Sequence, residues 1–122
     1  MSARILVVDD AAFMRMMIRD ILVKNGFEVA GEAANGKEAV EIIKTKYFDL
    51  IVTDYNMPEM DGKQLTEYVR TNSTQSTIPI LMVSSESDSN RLAAVQQVGV
   101  SAICDKPFAP DTVRELLLKM LA

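Results

Sequence analysis

The sequence predicts an α/β fold: a doubly wound, five-stranded parallel sheet flanked by five helices. Three observations carry this. Short apolar runs without polar alternation recur along the chain, as strands buried on both faces require. Between them lie segments whose apolar residues fall at helical spacing. Strand and helix signals alternate through the whole 122 residues, which implies parallel strands joined by right-handed crossovers.

The first strand is Ile5 to Val8. The first helix runs from Ala12 to Asn25, with Phe13, Met17, Ile21 and Leu22 at helical spacing and Asn25-Gly26 as its stop. Within the methionine-rich "FMRMMIRD", Met14 and Met17 are expected inward and Met16 outward, as core packing rather than a soft metal site. The segment "EVAGEAA", Glu28 to Ala34, is weaker and interrupted by glycine, which suits an edge strand. Asn35, followed three residues later by Glu38, reads as the N-cap of a helix through Ile43. Leu50 to Val52 form the central strand. Asp61 with Gln64 repeats the cap ahead of Leu65, Tyr68 and Val69. Ile80 to Val83 make the fourth strand. Leu92, Val95 and Val98 mark a fourth helix that ends at Gly99, and its few small apolar residues predict the loosest packing. Ala102 to Cys104 form the last strand, with Cys104 a buried, inert thiol. Pro110 suits the first position of the last helix, where Val113, Leu116, Leu117 and Met120 share one face. Leu118 lies off that face as a candidate partner contact.

The totals narrow the chemistry. At 48% hydrophobic and 25% charged, the chain is expected to be one globular domain, residues 1–122, with no length left for an output domain. A net charge of −4 argues against binding nucleic acid or an anionic membrane. The apolar runs are far shorter than a membrane span and no signal peptide is visible, so a soluble, cytoplasmic protein is expected. One cysteine cannot form an internal disulfide, and with no histidine His-based metal sites and Ser-His or Cys-His catalysis drop out. Chemistry must rest on carboxylates, hydroxyls and lysines.

Those groups sit where such a sheet binds ligands, outside the carboxyl ends of its strands. Asp9 and Asp10 end the first strand, Asp54 the third, Ser84 the fourth and Lys106 the fifth. Singly, each is an ordinary turn or cap residue; their convergence on one sheet edge carries the argument. Two unit charges about 5 Å apart at an effective dielectric of about 20 repel by roughly 3 kcal/mol. Three carboxylates therefore either raise a pKa or hold a cation. An all-oxygen set suits Mg²⁺, which usually keeps phosphate oxygens among its ligands. Ser84 and Lys106 would serve that phosphoryl group as hydrogen-bond donor and point charge. The nucleophile is then an aspartate able to form an acyl phosphate, and Asp54, after the central buried strand, is the best placed.

The motifs "ILVVDD", "DYNMPEMDG", "LMVSSE" and "CDKPF", in this order and spacing, resemble the receiver domains of two-component response regulators, the chemotaxis type above all. The likeness covers essentially the whole chain. It implies a flavodoxin-like sheet of order 2-1-3-4-5 and a phosphorylation-activated switch. Asp54 would accept a phosphoryl group from a histidine kinase. Asp9, Asp10, Asp54 and the backbone carbonyl of Asn56 would hold Mg²⁺. Ser84 would follow the phosphoryl group on activation and Lys106 would pair with it, its bond to Pro107 being cis as in the family. Asn56 and Glu86 resemble the pair that flanks the path of attacking water, and so imply a short-lived phosphoryl group. The likeness also implies a downstream protein target, with a flagellar motor switch protein as one candidate, a phosphatase as a further candidate partner, and a monomer that turns over no external substrate.

Two positions depart from the pattern. The family usually carries Tyr or Phe three residues before the lysine, where this chain has Ile103. An aliphatic side chain has no ring to swing, so Ser84 and Ile103 are expected to couple to the output face weakly or differently. Ser85 replaces a small alanine. Two other classes fit less well. An aspartyl phosphatase of the haloacid-dehalogenase type needs a second Asp two residues after the nucleophile, and that position is Asn56. A flavin mononucleotide site would meet repulsion from Asp9 and Asp10.

Overall fold

The alternation read from the sequence is the alternation of the fold. In this computed structural model, which describes residues 3–73, 75–84, 89–105 and 109–121, the order is β1 (Arg4–Val8), α1 (Ala12–Lys24), β2 (Glu28–Ala33), α2 (Gly36–Thr45), β3 (Leu50–Asp54), α3 (Gly62–Asn72), β4 (Ile80–Ser84), α4 (Ser89–Gln97), β5 (Ala102–Asp105) and α5 (Pro110–Met120). All pairings are parallel and the strand order is β2-β1-β3-β4-β5.

Continuous apolarity in β1, β3 and β4 has a direct cause. Successive side chains point to opposite faces, and both faces are covered. Ile5, Val7, Leu50, Val52, Leu81 and Val83 pack with Ile18 and Leu22 of α1 and Val113 and Leu117 of α5. Leu6, Val8, Ile51 and Ile80 pack on the other side with Ala39, Val40 and Ile43 of α2 and Leu65 and Val69 of α3. The edge strand is irregular as well as weak. Ile5 pairs with Val29 and Leu6 with Gly31, so Ala30 is an extra residue in a bulge.

The predicted caps form. Asn35 Oδ1 accepts from Glu38 N at 2.9 Å, and Glu38 Oε1 accepts from Ala34 N at 3.1 Å. Asp61 Oδ1 accepts from Gln64 N at 2.8 Å while Gln64 Oε1 accepts from Asp61 N at 3.0 Å, a complete capping box. α4 stops before Gly99, whose φ of +99° suits a residue without Cβ. Val95 is buried there, and the side chain of Leu92 lies outside the described residues. Cys104 is buried, which pushes its thiol pKa up, with the charge of Asp105 adding to the effect. Leu118 is exposed, off the packed face of α5.

The inner face of α1 is different from the one expected. Ile18 and Leu22 are buried and Ile21 is half-buried, but Phe13 is 65% exposed and Met17 38% exposed. Met16 points outward as expected, and Met14 is half-buried. Apolar residues nearly encircle the start of this helix, so periodicity alone does not select a face. The observed rotation is the one that lets Arg15 and Arg19 reach Glu32 on β2.

The end of the sheet opposite the aspartates is tied by side chains that periodicity does not report. Arg70 of α3 donates to the carbonyls of Gly99 (Nε 3.0 Å, Nη2 2.8 Å), Ser76 (3.0 Å) and Ile78 (2.7 Å). Its partial burial lowers the guanidinium pKa from its ordinary value. Gln75 accepts from Phe48 N at 2.9 Å and donates to the carbonyls of Ile43 and Lys46 at 3.1 and 2.8 Å. Together they join the end of α2, the approach to β4 and the turn before β5. Replacing Arg70 by alanine removes all four bonds and leaves carbonyls without their donor. We expect Arg70→Ala to lower the unfolding free energy in urea by roughly 2–4 kcal/mol, the order for several bonds to a charged donor. A loss under about 0.5 kcal/mol, the level of an ordinary surface change, would show that the clamp contributes nothing.

Candidate functional site

Register brings the aspartates level. Val8 pairs with Thr53 and Asp54 with Val83, so Asp9 comes out of the sheet beside Asp54. Ser84, one residue past Val83, comes out on the other side. Because these strands are parallel, all three side chains emerge at the same edge. Asp9, Asp54 and Ser84 are 1%, 6% and 2% exposed, whereas Asp10 is exposed. One carboxylate oxygen from each of Asp9, Asp10 and Asp54 lies within 4.8 Å of the others. An octahedral Mg²⁺ shell at 2.0–2.1 Å has opposite ligands about 4.2 Å apart. The cluster is thus close to the size of one such shell, and its donors are hard oxygens of matching character.

The turn after β1 is held at several points. Asp9 N donates to Ala33 O at 3.1 Å, Asp9 Oδ1 accepts from Ala11 N at 2.9 Å, and Arg15 Nη1 donates to Asp9 O at 2.6 Å. Asp9 therefore does two jobs: it presents a carboxylate to the cluster and takes the place of a cap at the start of α1, where Ala11 has no side chain to offer.

The loop after β3 is held as firmly. Gly62 N donates to Tyr55 O at 2.8 Å. A Cβ at Gly62 would collide with the Asp54 carbonyl oxygen and come within 2.7 Å of Met82 Sδ. Across the loop, Gly36 N donates to Met60 O at 3.2 Å, and a Cβ at Gly36 would stand 2.8 Å from that oxygen. Between these contacts, Met60 N donates to Pro58 O at 2.8 Å around Glu59, whose φ is +68°. A three-residue turn of this hand is rare for a side chain with Cβ.

Of the residues singled out in the sequence, Asp9, Asp10, Asp54 and Ser84 come together at this edge. Asn56 is exposed in the loop two residues after Asp54. Ile103 is half-buried in β5 and pairs with Met82. Ser85, Glu86, Lys106 and the Lys106–Pro107 bond lie outside the described residues. Asp61 is a helix cap, as expected. Sequence reasoning missed the close approach of Gly62, for which the Asp-Gly pair signals only a helix start. It also missed the bond from Arg15 to Asp9, which has no signature in spacing.

The chain matches the model of the response regulator receiver domain over residues 5–118. It is 46% identical over 121 residues to the chemotaxis protein CheY of Bacillus subtilis, covering 99% of each chain. It is 40% identical over 120 residues to the chemotaxis protein CheY of Thermotoga maritima, covering 98% of each. Among solved structures, the chemotaxis protein CheY4 of Vibrio cholerae superposes with a TM-score of 0.90 at 34% identity, over 99% of this chain and 100% of that one.

Gly62 offers a test of how tightly this edge is packed. Helix propensity alone says that Gly62→Ala should stabilise α3 by up to about 1 kcal/mol. The contact with the Asp54 carbonyl predicts the opposite sign, a loss of about 1–3 kcal/mol from overpacking. Urea denaturation of the two proteins decides, and a gain in stability would refute the packing account.

Proposed function

The chain belongs to the response regulator receiver domain family, and from that premise we propose that it is a signalling switch operated by phosphorylation of Asp54. The observation that carries this is a buried Asp54 level with Asp9 and Ser84 and within one ligand shell of Asp10. The donor is a phosphohistidine of a histidine kinase. Asp54 Oδ attacks phosphorus, the P–N bond breaks, and an acyl phosphate forms on the aspartate while the imidazole leaves. Asp9, Asp10 and Asp54, with the Asn56 carbonyl, would hold Mg²⁺, which would supply charge neutralisation for the phosphoryl oxygens. The rigid β3 holds the nucleophile, Ser84 donates a hydrogen bond to one phosphoryl oxygen, and Lys106 pairs with another.

Asn56 and Glu86 set the rate at which water removes the group, so the phosphoryl state is short-lived. The added charge then shifts an equilibrium between two arrangements of Ser84, α4, the loop ahead of it and β5. The output is protein contact, in the cytoplasm, by a monomer that turns over no external substrate. Among the described residues no helix is long and apolar enough to cross a membrane. Relatives named as chemotaxis proteins support a role in chemotaxis; in that role we propose a flagellar motor switch protein as target and a phosphatase as a further partner. Ile103 at the usual aromatic position favours a second reading, a receiver in another two-component pathway.

Incubation with acetyl phosphate and Mg²⁺, followed by intact mass, checks the chemistry. One phosphoryl group should add to the unaltered protein, and none to Asp54→Asn or to protein kept in chelator. No addition, or addition that survives Asp54→Asn, would falsify the assignment.

A further inference from the structure

α1 carries two arginines one turn apart, Arg15 and Arg19, and both engage Glu32 of β2. Arg15 Nε lies 3.6 Å from Glu32 Oε1, and Arg19 pairs with the other carboxylate oxygen. Only Arg15 also reaches the aspartate edge, where its Nη1 donates to the Asp9 carbonyl at 2.6 Å. A charge-assisted bond of this length is strong and directional, and the planar guanidinium fixes the donor's line of approach. With its side chain 21% exposed, Arg15 is held between strand and turn.

The oxygen it holds belongs to the peptide joining Asp9 to Asp10. That unit is planar, so fixing its oxygen fixes the plane from which Asp10 departs. Asp10 needs this. It is exposed, and no side chain among the described residues bonds its carboxylate. Its aim toward Asp54 therefore comes from the backbone before it. Asp9 N is held by Ala33 O at 3.1 Å, which fixes the other side of the same residue.

We propose that Arg15, braced by Glu32, is a positioning residue that aims Asp10 into the cation site through the Asp9–Asp10 peptide. This rests on reading Asp9, Asp10 and Asp54 as a Mg²⁺ site. The role is geometric, because the charge works the other way: a cation beside a Mg²⁺ site repels the metal, and the carboxylate of Glu32 offsets that repulsion. The two accounts of Arg15 thus predict opposite signs. Loss of an electrostatic opponent tightens metal binding, whereas loss of a positioning bond weakens it.

The test is calorimetric titration of Mg²⁺ into the full chain and three variants, with circular dichroism and thermal melting without metal to establish folding. For Arg15→Gln the Mg²⁺ dissociation constant should rise about 10–100-fold, the usual effect of losing an outer-sphere partner. Arg15→Lys keeps the charge but not the fork, and should also bind more weakly. Arg19→Gln loses its pair with Glu32 without touching Asp9, and should stay within about twofold, as for a partly exposed ion pair. Unchanged or tighter binding by folded Arg15→Gln overturns the proposal. If Arg15→Gln does not fold, Arg15→Lys decides by the same criterion. An unaltered protein that binds no Mg²⁺ overturns the cation reading itself, and this inference with it.

Discussion

Mutual repulsion among Asp9, Asp10 and Asp54 is the constraint around which the rest of the molecule is arranged. Three carboxylates within 4.8 Å of one another would separate in a flexible chain, because nothing there opposes a repulsion of several kcal/mol. Here each is delivered by something rigid. Asp54 ends a strand whose residues are all buried. Asp9 is held through its N–H, its carbonyl and its carboxylate. Asp10 follows a peptide whose oxygen accepts from Arg15. Carboxylates crowded in this way favour added positive charge.

The two ends of the sheet divide their tasks. At one end Arg70 and Gln75 join loops from α2, α3, β4 and the turn before β5 through bonds to backbone carbonyls. These are fully satisfied, internal and remote from the aspartates. At the other end the close contacts are backbone against backbone, at Gly36 with Met60 and at Gly62 with Asp54. They hold a loop containing one left-handed residue, Glu59. The left-handed Glu59 and the three clustered carboxylates thus share one end of the sheet, where local strain is tolerated because the surrounding contacts hold the backbone.

Elements and caps were legible because their causes are local. A run such as Leu50 to Val52 has only one good place in a small α/β protein, the middle of a parallel sheet. Asn35 and Asp61 each meet their bonding partner three residues later, within one turn of chain. The acids at strand ends were legible for a related reason, since parallel strands must all deliver their last residues to the same edge. The inner face of α1 was not legible. Phe13, Met14, Met16 and Met17 are all apolar enough to be buried, yet the packed face is the one that carries Ile18 and Leu22, and it leaves Arg15 and Arg19 in reach of Glu32, seventeen and thirteen residues away in sequence.

By itself, the amino-acid sequence determined the class of fold, the order of its elements and the identity of the converging acids, because these follow from short-range periodicity and the geometry of parallel strands. Tertiary structure alone decided the register that sets Asp9 beside Asp54, the rotation of α1, the arginine bond behind Asp10 and the need for a bare α-carbon at Gly62. Each of these depends on the distance between groups remote in the chain, which neither periodicity nor spacing encodes.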